Sequence, residues 1–476
     1  MFIKSISIKK LFGLFDYSLD FKDEINIITA PNGYGKTICL KIIHSLFTYD
    51  YLYYFSLDFS EIIFETESGT LKISKDFVKK EVNKKKRFTQ NNSLDDDFFY
   101  LERHIIIEND ENDENDENGE NYKPFNLRFN FDGYEYVLSE SKFKRQLIII
   151  FSEISNLRKA GRNEWINIKT REISGFEQLL KELDLTKPIR NFLPEWLGDF
   201  SADHTSYFIQ DQRLLKRINK SPHKNLNSYV QAIDTYAKEL KNHLVQSSLD
   251  FSVISQDLDS TFPQRLLSKD DSSKNVSKEQ IVEELNKVQG NRENLKKFDI
   301  LPKNTSVDSL ITAKNIDDIY VSVLNLYLND TKLKLQKFDD IYKKINLFSN
   351  ILNTKLSFKK IKIDSEKGFY FVRQIESDNN NEKEHILNLP QLSSGEQHQV
   401  VLIYELIFNT KEHSIVLIDE PEISLHVVWQ EQFLDDLKMI TEMNKAKAII
   451  ATHSPQIIGD YWDLVIDLEE IRKLGV

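Results

Sequence analysis

Residues 24–47 constrain the fold more than any other part of the chain. A short apolar stretch, Glu24-Ile25-Asn26-Ile27-Ile28, runs directly into Ala30-Pro31-Asn32-Gly33-Tyr34-Gly35-Lys36-Thr37. That loop opens onto Ile38 to Phe47, which carries one apolar face at helical spacing. Strand, glycine loop and helix in this order make a phosphate-binding unit. Gly33 and Gly35 free the backbone beside Asn32 so that successive N–H groups converge on phosphate oxygens. Lys36 is long enough to reach the outer phosphates, and the Thr37 hydroxyl can hold Mg2+. The first glycine usual in such loops is replaced by Ala30, so the loop needs support from elsewhere in the chain.

That support lies at the far end. Ile415-Val416-Leu417-Ile418 and Ala448-Ile449-Ile450-Ala451 are short and uniformly apolar, the pattern of central parallel strands covered on both faces. The first ends in Asp419-Glu420-Pro421. Asp419 is placed to bind the metal, and Glu420 to polarise an attacking water. The second leads into Thr452-His453-Ser454-Pro455, where His453 can donate a hydrogen bond to a γ-phosphate. Leu392-Ser393-Ser394-Gly395-Glu396-Gln397 precedes a helix-like run, and small residues at a helix start present N–H groups and a hydroxyl to an anion. Taken singly, each has a plain structural reading: a strand capped by surface acids, a strand-end histidine, a capped helix.

Between the two ends the pattern changes. From about 225 to 352 it is helical, and Leu324, Leu328, Thr331, Leu335, Phe338, Tyr342, Ile345, Ser349 and Leu352 keep alternating steps of four and three. This fits either the buried face of one long helix or a short coiled-coil arm. Strands are expected again at Leu356-Ser357-Phe358, Ile361-Lys362-Ile363 and Gly368–Val372. The expected fold class is therefore α/β, with an N-terminal lobe at 1–224, a helical insertion at 225–352 and a C-terminal lobe at 353–476. A basic stretch at 79–87 and the acidic repeat at 108–121 read as solvated loops or as docking patches.

Composition narrows the class further. Lys and Arg number 63 against 75 Asp and Glu, a net charge of −12, so any nucleic-acid contact must be local. Cys39 is the only cysteine, which excludes an intrachain disulfide and a cysteine zinc cluster. No apolar run reaches membrane-spanning length. A cytoplasmic protein with no membrane partner is the expectation.

With these motifs in this order, and a D-loop-like Ser424-Leu425-His426 among them, the chain resembles the ABC-type ATPases of the SMC/RecF/OLD group. LSSGEQ stands where that group has its signature. The resemblance implies an ATPase head built from both chain ends, with ATP and Mg2+ as cofactors and slow hydrolysis. It implies catalytic roles for Glu420 and His453, nucleotide contacts from Asn32, Gly33, Gly35, Lys36 and Thr37, and metal contacts from Thr37 and Asp419. A glutamine completing the metal site is expected at Gln212, or else at Gln210. ATP in this group is buried between two subunits. Ser393, Gly395 and Glu396 would then meet the nucleotide held by another protomer's Lys36, in a homodimer or higher oligomer.

Within the group, the insertion is too short for true SMC arms. The stretch after His453 is too short for the TOPRIM domain of OLD nucleases, so any nuclease is expected on a separate chain. LSSGEQHQVVLIYELIF, LIDEPEISLHVVWQEQFLDDL and IIATHSPQII look closest to ATPase subunits of bacterial anti-phage systems, the PARIS type (AriA) first and Septu or retron-linked PtuA-like relatives second. That resemblance implies a sensor that holds a TOPRIM or HNH nuclease, or a toxin, until a phage-derived trigger arrives. The alternative is a RecF-like repair ATPase that binds DNA directly, and the acidic balance disfavours it.

Overall fold

The computed structural model describes residues 3–22, 24–77, 125–161, 164–169, 171, 173–183, 185–202, 205–209, 215–218, 228–268, 276–301, 316–375 and 383–474. The chain opens with β1 (Ile3–Leu11), β2 (Phe15–Asp20), β3 (Ile25–Thr29) and α1 (Lys36–Thr48). Antiparallel strands β4 (Glu61–Thr66), β5 (Thr70–Phe77), β6 (Phe125–Phe131) and β7 (Tyr134–Ser139) come next. β8 (Ser206–Ile209) precedes four long helices, α2 (Ala232–Leu267), α3 (Lys278–Lys296), α4 (Asp318–Leu335) and α5 (Asp339–Lys355). The last part contains β9 (Lys359–Asp364), β10 (Gly368–Ile375), β11 (Lys383–Leu387), α6 (Ser394–Tyr404), β12 (Ile415–Asp419), α7 (Phe433–Asn444), β13 (Lys447–Ala451), β14 (Val465–Asp467) and β15 (Lys473–Leu474).

Both chain ends meet in one parallel sheet of order β8-β12-β13-β3-β14. Its three middle strands are buried almost throughout, as their unbroken apolar runs require. Side chains alternate between faces, so one sheet serves two cores. Ile28, Ile415, Leu417, Ile449 and Ala451 pack with α1 (Leu40, Ile43, Leu46) and with Ile6, Ile8, Ile62 and Phe64 of the antiparallel sheet. Ile25, Ile27, Val416, Ile418, Ala448 and Ile450 face the other way, towards α2, α5, α6 and α7. The antiparallel sheet has the order β15-β2-β1-β4-β5-β6-β7, and β1 buries Ile3, Ile6, Ile8 and Leu11 while Lys4, Lys9 and Lys10 stay exposed. The α/β class expected from sequence is the one found.

The four long helices between β8 and β9 span the stretch read from sequence as helical. Its stepped apolar series does not run along one continuous helix. α4 and α5 are separated by a 3-10 turn at Gln336–Phe338, with the backbone staying right-handed throughout. Leu328, Leu335, Phe338, Ile345 and Leu352 are buried inside the chain's own core, so this face packs within the subunit. Arg265 of α2 grips Asp330 of α4 with two hydrogen bonds, of 2.6 and 2.8 Å. At the far end Lys355 meets Asp436 of α7 at 2.6 Å with both groups buried, tying α5 to α7.

One strand expectation fails. Leu356 caps α5, Ser357 and Phe358 form a turn, and the strand begins at Lys359. Phe358 has φ +61° and is 86% exposed, so its apolar side chain answers to no core. The next hairpin then docks on α2 through Gly368. Its φ is +78°, and a Cβ there would lie 1.8 Å from the Ala237 carbonyl oxygen, so no larger residue fits. The stretches at 79–87 and 108–121 lie outside the described residues.

Candidate functional site

Registers fix where the chemistry gathers. Ile209 pairs with Ile418, Asp419 with Ala451, and Ala451 with Ile28. The four strands therefore end level, and the segments leaving β3, β12 and β13 emerge at the same carboxyl edge, the place where open parallel sheets bind ligands.

The glycine loop leaves β3 there. Gly33 and Gly35 have φ +90° and +87°, a conformation that favours glycine, and Asn32 stands exposed at the loop's tip. A Cβ at Gly35 would press on Leu11 at 3.3 Å, so the loop also lies close against the β1–β2 turn. Lys36 opens α1 and is buried, its Nζ donating to the Ala30 carbonyl at 2.8 Å across the loop's mouth. Tyr34, between the glycines, is tied on several sides. Its carbonyl accepts from the Tyr17 hydroxyl at 2.9 Å. Its own hydroxyl donates to Glu469 at 3.2 Å and accepts from Arg472 at 2.6 Å, and the Arg472 guanidinium lies 5.2 Å from the ring centre. α1 is held against β8 through His44, whose Nδ1 lies 2.8 Å from the Ser206 hydroxyl. Burial pushes this histidine down to about 4, so it is neutral at pH 7.

The Thr37 hydroxyl donates to Asp419 Oδ1 at 3.0 Å. A hydroxyl and a carboxylate at this spacing suit Mg2+, which takes few protein oxygens and completes its shell with water and phosphate. Among the described residues no cluster of three or more His, Cys, Asp or Glu side chains could hold a metal by itself.

Glu420 comes directly after. Its backbone is left-handed at φ +44°, a conformation costing on the order of 1 kcal/mol or more for a residue with a Cβ, and its N–H donates to the Ala451 carbonyl at 2.8 Å. This turn separates its carboxylate from the strand axis and leaves Oε1 4.0 Å from His453 Nδ1. His453 is nearer to a residue absent from the sequence expectations. Glu422 Oε1 lies 3.1 Å from His453 Nδ1, and it also accepts from the His453 N–H at 3.0 Å and the Thr452 hydroxyl at 2.8 Å. Two residues past the strand's second acid and beyond a proline, Glu422 reads in sequence as a surface acid; the sheet register is what brings it against His453.

The signature residues keep different company. Ser393 caps α6 in a reciprocal box with Glu396: the Glu396 N–H donates to Ser393 Oγ, and Glu396 Oε2 accepts from the Ser393 N–H at 2.8 Å. Lys359 reaches both Glu396 oxygens at 2.7 Å. Burial pushes Glu396 up, but the bonds from Lys359 and Ser393 outweigh it and hold the carboxyl below its ordinary value. Gly395 is open, with nothing near an added Cβ. Among the described residues the hydrogen bonds of Ser393 and Glu396 run to each other and to Lys359, not to the glycine loop. Gln210 and Gln212 lie outside the described residues.

A sequence family described as "AAA domain, putative AbiEii toxin, Type IV TA system" matches residues 178–459, more than half of the chain. The chain belongs to this family. As one of its P-loop ATPases it uses ATP with Mg2+. The matched span takes in Ser393, Asp419, Glu420 and His453 and begins beyond Lys36. Protein ea59 of Escherichia phage lambda is 28% identical over 168 residues, 33% of this chain but only 30% of that protein's length. Among solved structures, the Smc head domain of Pyrococcus furiosus, with an extended coiled coil and bound to the C-terminal domain of ScpA, aligns over 100% of this chain and 96% of that one. Its identity is 11% and its TM-score 0.30. An SmcHead bound to the C-winged helix domain of ScpA aligns over 100% and 98%, at 9% identity and a TM-score of 0.34. Among the described residues no helix is long and apolar enough to cross a membrane.

Proposed function

We propose that this ATPase is a slow, ATP-loaded switch that pairs with a second copy of itself and, in that state, restrains a nuclease or toxin carried on a separate chain. The observation that carries the hydrolytic part is the meeting of Thr37 with Asp419, with Glu420 and His453 beside them at one sheet edge. Lys36 would hold the outer phosphates, Thr37 and Asp419 the Mg2+, and Glu420 the attacking water; the metal supplies charge neutralisation at the γ-phosphate. Pairing is supported by what surrounds that edge. Ile423, Val427 and Val428 are 54–59% exposed on the segment just past Glu420, an apolar face that another subunit would cover. The signature residues, bonded within their own helix start, would then complete the site of the second copy. Control of an effector rests on the resemblance to anti-phage ATPase subunits of the PARIS type and on membership of a family described by a toxin system.

The test is to purify tagged wild type and Glu420→Gln from the native host with ATP and Mg2+. Slowed hydrolysis and a larger ATP-bound species for Glu420→Gln, together with a stoichiometric nuclease or toxin, support the proposal. Co-purifying nucleic acid without a protein partner replaces the effector reading with a DNA-repair one. A monomer in both states removes the pairing.

A further inference from the structure

Glu422 has more contacts with His453 than any motif residue has. A single oxygen, Oε1, accepts from the Thr452 hydroxyl and the His453 N–H, and the His453 ring Nδ1 lies 3.1 Å from it. Its other oxygen, Oε2, is buried with no hydrogen-bond partner. The residue's own backbone is fixed too, since Gln430 Nε2 donates to its carbonyl at 3.3 Å, and Gln430 Oε1 accepts from the Ser454 hydroxyl at 2.9 Å. Glu422, Gln430, Thr452 and Ser454 thus form a frame around His453, whose ring remains half exposed. A loop could be held by a neutral amide, which would accept the same two N–H and O–H bonds without desolvating a charge. A carboxylate placed against a ring nitrogen does something an amide oxygen does less well. It selects the Nδ1–H tautomer and orients the ring, the usual relation between a working histidine and its carboxylate.

We propose that Glu422 is the positioning residue of His453, keeping Nδ1 as the donor towards Glu422 and leaving Nε2, on the far side of the ring, for the γ-phosphate of ATP. The proposal rests on the ATPase reading of this site and adds to it a dyad formed within one subunit. Glu420, 4.0 Å from the same Nδ1, is the weaker partner and stays free for water.

The experiment compares wild type, Glu422→Ala, Glu422→Gln, His453→Ala and the Glu422→Ala/His453→Ala double variant. It reads kcat, the dissociation constant for ATP, and the 15N signals of the histidine ring, assigned with His453→Ala at a pH where the ring is neutral. Glu422→Ala is expected to lower kcat about 10- to 100-fold while ATP affinity stays within about twofold. Glu422→Gln should fall between. Adding Glu422→Ala to His453→Ala should change kcat by less than about twofold, because the second residue acts only through the first. The His453 signals should show the proton on Nδ1 in wild type and move towards Nε2 in Glu422→Ala. Losses that multiply in the double variant, or an unchanged tautomer in folded Glu422→Ala, overturn the proposal. If wild type hydrolyses no ATP, the reading of the site fails, and the tautomer signal still decides on the dyad.

Discussion

The two halves of the candidate site are built in opposite ways. At the carboxyl edge of the parallel sheet, groups from distant parts of the chain converge: Thr37 bonds Asp419, and His453 lies between Glu420 and Glu422. At the start of α6, Ser393 and Glu396 bond each other and are gripped from β9 by Lys359. One half is completed by the fold of a single subunit; the other is a finished helix cap that presents Ser393 and Gly395 outwards. Under the proposed pairing of two copies, ATP should bind with one half and need both for turnover.

Lys36→Ala tests this division most severely. It removes the cation at the mouth of the loop, so binding and hydrolysis should both fall below detection, at least about 100-fold, in nucleotide-binding and phosphate-release assays. Ser393→Arg attacks the other half. ATP binding to the isolated subunit should stay within about twofold, while hydrolysis drops by about 10-fold or more. Equal losses of binding and turnover would show that the halves are not separate.

Acid should loosen the two halves at different pH. His44 has its folded value pushed below its ordinary 6.5 to about 4, so the stability it lends α1 is present above 6.5 and is lost as pH falls towards 4. Glu396 is held below its ordinary 4.5, so its contribution to the α6 cap is present above 4.5 and is lost only as pH falls through the lower value. Hydrogen exchange monitored from pH 7 downwards should show α1 losing protection before the first turn of α6. The Lys359→Met variant should lose the Glu396 part and leave the α1 transition in place.

The smallest effect is expected at Arg472→Ala. It frees the hydroxyl and ring of Tyr34 on one side, while Tyr17 still holds the loop's carbonyl. ATP affinity should weaken about two- to tenfold with little change in kcat, and Arg472→Lys should restore only part, since a point charge cannot stack on the ring.

Local pattern was enough to read much of the parallel sheet. Ile25–Thr29, Ile415–Asp419 and Lys447–Ala451 are apolar on both faces, and only a doubly covered strand tolerates that. Gly33, Gly35, Lys36, Thr37, Asp419, Glu420 and His453 stand out as candidates in the sequence because the chemistry of a phosphate site restricts residue type at each position. Where periodicity alone spoke, it misled. The series from Leu324 to Leu352 suggests one helix, yet a 3-10 turn divides it, and Leu356-Ser357-Phe358 reads as a strand but forms a helix cap and a turn. A period reports which faces want burial, not where neighbouring elements force the backbone to bend.

The sequence by itself determined the α/β class, the order of the motifs and the residue types a phosphate site requires, because these depend on interactions within a few residues. Only the tertiary structure decided that Thr37 meets Asp419, that Tyr34 is clasped by Glu469 and Arg472, that Glu396 belongs to Lys359 and that Glu422 addresses His453. Most of those pairings join residues far apart in the chain. Their distances are products of strand register and helix packing, which are set by the burial of whole sheet faces and written in no single stretch of sequence.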